Sequence, residues 1–213
     1  MSKLILASLD ENRLSVFKRL EAFKNLGVLG GGTALSLQIG HRVSYDFDIF
    51  TFRTLDNTVW KKVKDIFGSK TQKLLDNSDQ LNVLTPESVN VTFFYDDYKS
   101  LFKPLKTDTI GLMDIKDIAA NKAYTLGRRP KWRDYVDLYF IFGKGFVSLE
   151  KLVDISLKKF GNDFSEKLFL EQLIYWKDID DYKIEYLQSS LPPELIKEEL
   201  EKHVRLYTST ILE

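Results

Sequence analysis

Two aspartates, Asp46 and Asp48, stand two residues apart where Ser44, Asp46 and Asp48 alternate with Tyr45, Phe47 and Ile49. A period of two belongs to a strand, so the spacing predicts an extended segment over residues 44–50 with both carboxylates on one face. Paired carboxylates so placed suit a hard divalent cation, magnesium or manganese, which takes few protein oxygens and completes its shell with water and phosphate oxygens. A bare Asp-x-Asp is more often the polar edge of a half-buried strand. Upstream, however, Val28-Leu29 runs through Gly30-Gly31-Gly32-Thr33 into Ala34-Leu35-Ser36-Leu37, the pattern of strand, tight turn and helix. Glycines there let a ligand approach the main chain, and the first N–H groups and dipole of the helix favour an anion. Thr33 offers a hydroxyl to the helix start or to a phosphate, and Arg42 is either a guanidinium clamp on phosphate or a surface charge. Together these residues describe a triphosphate cradle, with Gly31, Gly32 and Thr33 on the phosphates and Asp46 and Asp48 on the metal.

A second group of chemical side chains follows. The helix expected over residues 114–126 has an apolar stripe at Ile115, Ile118, Ala119 and Leu126, and Lys122 falls on that stripe, whereas Lys116 lies round the helix as a surface charge. An inward lysine either snorkels its ammonium to the rim or points into a cleft as a phosphate ligand. Arg128-Arg129-Pro130-Lys131-Trp132-Arg133 is a basic cluster that could guide an RNA backbone and stack a base on Trp132, or form a solvated turn. Asp134 and Asp137 share a helix face near Leu138 and Ile141, which turns at least one of them inward; in the plainer reading Asp134 stabilises the helix start and Arg133 pairs with Asp137.

The elements that must position these groups are legible from the same periodicities. Residues 9–23 and 55–67 read as helices, residues 71–75, 80–85 and 88–95 as extended segments, and residues 114–126, 132–142, 149–160, 165–175 and 194–207 as helices. The expected class is α+β: a mixed, partly antiparallel sheet flanked by helices (residues 1–108), then a helical C-terminal domain (residues 109–213) contributing Lys122 and Asp134 or Asp137 to the cleft. At 213 residues and 44% hydrophobic, the chain can bury a core without staples. Lys plus Arg equals Asp plus Glu at 31 each, so a polyanion would need a local basic patch. The absence of cysteine excludes disulfides, thiolate zinc sites and cysteine nucleophiles, and leaves metal binding to oxygens or to His41 and His203. Residues 1–9 are too short and too soon followed by charge for a secretory leader or a membrane span, so the expectation is a soluble cytoplasmic protein without a membrane partner.

Gly31-Gly32-Thr33-Ala34-Leu35 with Gly40-His41-Arg42-Val43-Ser44-Tyr45-Asp46-Phe47-Asp48-Ile49-Phe50 resembles the first motif of the AbiEii-type nucleotidyltransferase toxin family, a branch of the polymerase-beta-like superfamily. Asp117 to Lys122, continuing through Arg133-Asp134-Tyr135-Val136-Asp137-Leu138-Tyr139, resembles that family's second strong motif, and the likeness spans residues 29–142. It implies a nucleotidyltransferase fold and transfer of a nucleoside monophosphate from an NTP to an acceptor hydroxyl, with Lys122 on the phosphates, Asp134 or Asp137 catalytic, and Ser44 or Thr33 supplying the hydroxyl of the turn. It further implies an RNA acceptor, in particular a transfer RNA, and a cognate antitoxin protein. The sequence departs from the superfamily in having Gly-Gly-Thr at the turn and no carboxylate on the segment Asn90-Val91-Thr92-Phe93-Phe94, where many members carry a third metal ligand. A nucleotidyltransferase acting on a small molecule or protein, and a catalytically silent binding module, share the same residues.

Overall fold

The computed structural model describes residues 4–211, so Met1–Lys3, part of the segment read above as no leader, lie outside the described residues. The chain forms two compact units: residues up to Lys99 with Lys103–Asp114, and Ser100–Phe102 with Ile115 onward.

The first unit is built on a five-stranded sheet. Helix α1 (Glu11–Arg19) starts where the Asp10 carboxylate accepts from the Arg13 N–H, and it tightens into a 3-10 turn at Leu20–Phe23. Strand β1 (Gly27–Gly30) leads directly into α2 (Gly31–Ile39), which Gly40 ends in a left-handed conformation. Then come β2 (Phe47–Thr51), α3 (Asn57–Phe67) and the strands β3 (Gln72–Asp76), β4 (Gln80–Leu84) and β5 (Asn90–Phe94). The strand order is β1-β2-β5-β4-β3, with β2 and β5 parallel and the other pairs antiparallel. This is the α+β class and mixed sheet that the periodicities lead one to expect. Phe47, Ile49, Val91, Phe93, Leu81 and Val83 form the buried face, where Phe17 stacks on Phe47 and Phe23 packs on Phe67 and Phe93. The alternate residues of β2 and β4, among them Asp48, Phe50, Asn82 and Leu84, are half-exposed, so the sheet has one buried apolar face and one partly exposed mixed face.

The strand carrying the aspartates is shorter than its alternation suggests. It begins at Phe47, where its partner β1 has already given way to α2 at Gly31, and the chain before it is held by side chains instead: Arg13 Nη1 donates to the Ser44 carbonyl at 2.6 Å and the Thr33 hydroxyl to that of Asp46.

The second unit is helical: α4 (Ile115–Leu126), α5 (Trp132–Gly143), α6 (Leu149–Phe160), α7 (Glu166–Leu173) and α8 (Pro193–Ile211). Asp117, fully buried on α4, accepts from the N–H groups of Leu101 and Phe102 at 3.0 and 2.9 Å and from Lys159 Nζ of α6 at 2.9 Å. Breaking a buried ion pair on one side leaves the other charge uncompensated. Lys159→Met is therefore expected to lower unfolding free energy by about 3 kcal/mol, toward the low end for such pairs because two N–H donors still hold the carboxylate. Urea denaturation checks this, and pairing the change with Asp117→Asn should return part of the loss. No described helix is long and apolar enough to cross a membrane.

Candidate active site

The glycine turn and the carboxylate strand meet side by side. Gly30 is the register partner of Asp48, and Gly31 follows with φ of 64°, a conformation that favours glycine. A β-carbon on Gly31 would lie 2.4 Å from Asp48 Oδ2; one on Gly32 would lie 2.7 Å from Arg42 Nη2 and 2.9 Å from Ser44 Oγ. Bare main chain is thus what lets the first turn of α2 lie against Asp48, Ser44 and Arg42. The first N–H groups of a helix have no partners further back in the helix, which is the general condition for a helix start to attract an anion. Gly31→Ala combines a disfavoured φ with a collision against a carboxylate. It should destabilise the protein by about 2 kcal/mol or more, read as a lowered unfolding midpoint.

Asp46 and Asp48 are both half-buried. Thr33 is buried, and its hydroxyl is committed to the Asp46 carbonyl, so toward a phosphate it has its main-chain N–H to offer. Arg42 is 4% exposed rather than a surface arginine, and one of its nitrogens donates to the Val43 carbonyl at 2.9 Å while Ser36 Oγ donates to the carbonyl of Arg42. Arg13 is the residue that the sequence reading passes over. Only 7% exposed, it donates to Asp10 and to the Ser44 carbonyl and lies 4.8 Å over the Tyr45 ring, fixing the segment between α2 and β2. Its one legible signal is its place a helical turn before Phe17, on the buried stripe of α1.

In the second unit, Lys122 and both aspartates converge. Lys122 does not snorkel: it is 8% exposed, and its Nζ lies 2.6 Å from Asp134 Oδ1 and 2.6 Å from Asp137 Oδ2. Asp134 stands in the first turn of α5, as the plainer reading has it, and the lysine across the turn gives both aspartates a buried partner besides. Asp134 Oδ2 is buried and has no hydrogen-bond partner among the described residues. Trp132 is 3% exposed, packed among Tyr135, Trp176 and Tyr182 at ring separations of 5.8, 6.3 and 4.9 Å, so it is core and offers no stacking face to a base. Arg128 lies on the Tyr124 ring at 3.6 Å and donates to the Asp163 carbonyl, which makes it part of the turn's own structure.

With this geometry in place, the profile of the family described as "Nucleotidyl transferase AbiEii toxin, Type IV TA system" matches residues 15–205. The chain belongs to this family, and it is a nucleotidyltransferase. An uncharacterized protein of Aquifex aeolicus (strain VF5) is 33% identical over 170 residues, 75% of this chain and 80% of that one. Among solved structures, the nucleotidyltransferase toxin MenT4 of Mycobacterium tuberculosis H37Rv superposes with a TM-score of 0.62 at 16% identity, over 90% of this chain and 81% of that one. JHP933 from Helicobacter pylori gives 0.53 at 17% identity, over 95% and 99%. These two share the fold.

Family membership implies an NTP substrate and usually a divalent metal, and the donor set can be tested for it. Among the described residues no group of three or more His, Asp or Glu side chains could hold a metal ion, and His41 and His203 join no such group. At the position on β5 beside Asp48 stands Thr92. Two carboxylates beside a bare glycine turn fit a magnesium ion that draws its remaining ligands from water and phosphate, and they do not fit an all-protein cage.

Proposed function

We propose that this nucleotidyltransferase moves a nucleoside monophosphate from an NTP to a hydroxyl of RNA, a transfer RNA in particular, as the cytoplasmic toxin of a pair with a cognate antitoxin protein. The observation that carries the reading is the contact of the bare Gly31–Gly32 turn with Asp48, Ser44 and Arg42, which puts anion-binding main chain beside a cation-binding carboxylate. Asp46 and Asp48 would hold magnesium or manganese, whose charge offsets that of the phosphoryl oxygens. Gly31, Gly32 and Thr33 offer N–H groups to the outer phosphates, Ser44 adds its hydroxyl, and Arg42 raises the local positive potential. Lys122 neutralises triphosphate charge, and Asp134 or Asp137, on the helical domain of residues 109–213, orients the acceptor hydroxyl or takes its proton. The unpartnered Asp134 Oδ2 favours Asp134 for that proton. As the acceptor oxygen bonds to the α phosphorus, the bond to the bridging oxygen breaks and pyrophosphate leaves, with catalysis coming from positioning and charge stabilisation.

The test is incubation of the protein and magnesium with each α-labelled NTP plus total RNA or a protein lysate. Label is expected in RNA. Label in protein alone would support a protein acceptor, a possibility to which the neutral net charge gives weight. No transfer, together with NTP binding that is unchanged by Asp46→Ala or Asp48→Ala, would support a silent binding module.

A further inference from the structure

The partly exposed face of the sheet carries a row of register partners across four strands: Gly30 on β1, Asp48 on β2, Thr92 on β5 and Asn82 on β4. Neighbouring strands are about 4.8 Å apart, which puts Thr92 about one strand and Asn82 about two strands beyond Asp48, on the side away from the glycine turn. Asn90 lies on the same face of β5, two residues before Thr92. The side chains of β5 and β4 on this face are Asn90, Thr92 and Phe94, and Gln80, Asn82 and Leu84, none of them charged. Asn82 and Asn90 are each half-buried, and the Oδ1 atom of each is buried without a hydrogen-bond partner among the described residues. An unpaired buried amide oxygen is costly, and the terminal torsion of asparagine is soft enough to turn that oxygen to a ligand.

In-line displacement gives this row a direction. If the outer phosphates lie on the glycine turn, at the β1 end, the leaving pyrophosphate departs toward β1 and the attacking hydroxyl must arrive from the opposite side. That side is β5 and β4. Resting on the nucleotidyl-transfer reading above, we propose that Asn82 and Asn90, with the buried Thr92 opposite the one and two residues along the strand from the other, form the acceptor subsite and position the terminal ribose of the RNA. An asparagine amide both donates and accepts, and a ribose brings adjacent hydroxyls that do both, where a phosphate ester only accepts. The lack of charge on these strands fits a sugar edge rather than a phosphate backbone.

The experiment measures transfer from a labelled NTP to total RNA by the wild type and by Asn82→Ala and Asn90→Ala, with KM determined separately for RNA and for NTP. The KM for RNA is expected to rise roughly tenfold in each variant, as for loss of a neutral hydrogen bond, while the KM for NTP stays within about twofold. The salt dependence of the RNA KM should keep its slope, because no phosphate contact is lost. An RNA KM unchanged in both variants, an NTP KM that rises in proportion, or a slope altered by about one unit overturns the subsite while leaving the transfer reading intact. Wild-type label in protein and none in RNA overturns both. If Asn82→Ala unfolds early, Asn82→Leu, which retains the volume, is measured in its place and judged by the same outcomes.

Discussion

Replacing Asp48 by alanine is expected to lower nucleotidyl transfer roughly a thousandfold, equivalent to about 4 kcal/mol of transition-state stabilisation, while the protein stays folded. Asp48 lies on β2 between Gly30 and Thr92, so its main chain is held by a strand on each side, and its Oδ2 lies where a β-carbon on Gly31 would collide with it. A charge fixed in that way need not reorganise as the α phosphorus changes coordination, and that is where electrostatic catalysis gains most. Asp46 should behave alike with a smaller loss. It precedes the ladder and is tethered through its own carbonyl to Thr33, so a water can more readily take its place. Both side chains are half-buried, so their removal leaves no large cavity, and unfolding midpoints should shift by only a few degrees. The measurement is single-turnover transfer from labelled NTP alongside a thermal melt. If Asp46→Ala and Asp48→Ala both retain transfer within about threefold of wild type, the carboxylates are not the centre of the reaction.

The sequence makes this centre legible because its parts are local. The glycine turn, Arg42, Ser44 and both aspartates fall within one strand-turn-helix-strand stretch, and glycine spacing and alternation are short-range signals. Lys122 is legible for the same reason, as a charge on an apolar helix stripe. What escapes is whatever depends on a distant partner. Arg13 works through a carbonyl 31 residues away, so its helix looks like any amphipathic helix. The Asp117–Lys159 pair spans 42 residues, and neither partner differs locally from a surface charge. Asp46 is misread as a strand residue because alternation reports which way side chains point, whereas the ladder lasts only as long as its partner, and β1 ends at Gly30, opposite Asp48. The sequence leaves Trp132 open between a stacking face and part of a solvated turn, because a basic neighbourhood does not show that Tyr135, Trp176 and Tyr182 close over its ring. The row from Gly30 to Asn82 exists only once the strand order is known, since β5 pairs with β2 across two intervening strands.

Lys122→Met is expected to cost about 3–5 kcal/mol of folding stability, and this must be separated from any effect on the reaction. The ammonium is bonded to Asp134 and Asp137, whose side chains are 5% and 0% exposed, so its removal leaves two carboxylates buried together. The melting temperature should fall by about 10 °C for a chain of this size. Replacing the acids as well, in the triple variant Lys122→Met, Asp134→Leu and Asp137→Leu, should recover most of that stability, because apolar groups of similar volume need no counter-charge. That recovery would show that the cluster is not needed for folding stability. Equilibrium urea unfolding and NTP calorimetry, run well below the lowered melting temperature, separate the two roles. If Lys122 also serves the triphosphate, its methionine variant binds NTP at least tenfold more weakly even when fully folded, as for loss of a charge-assisted hydrogen bond of about 1.5–3 kcal/mol. Should the folded variant bind NTP as the wild type does, Lys122 only holds the two carboxylates. The part of the reading that assigns Lys122 to the phosphates then fails, without affecting the assignment of Asp46 and Asp48.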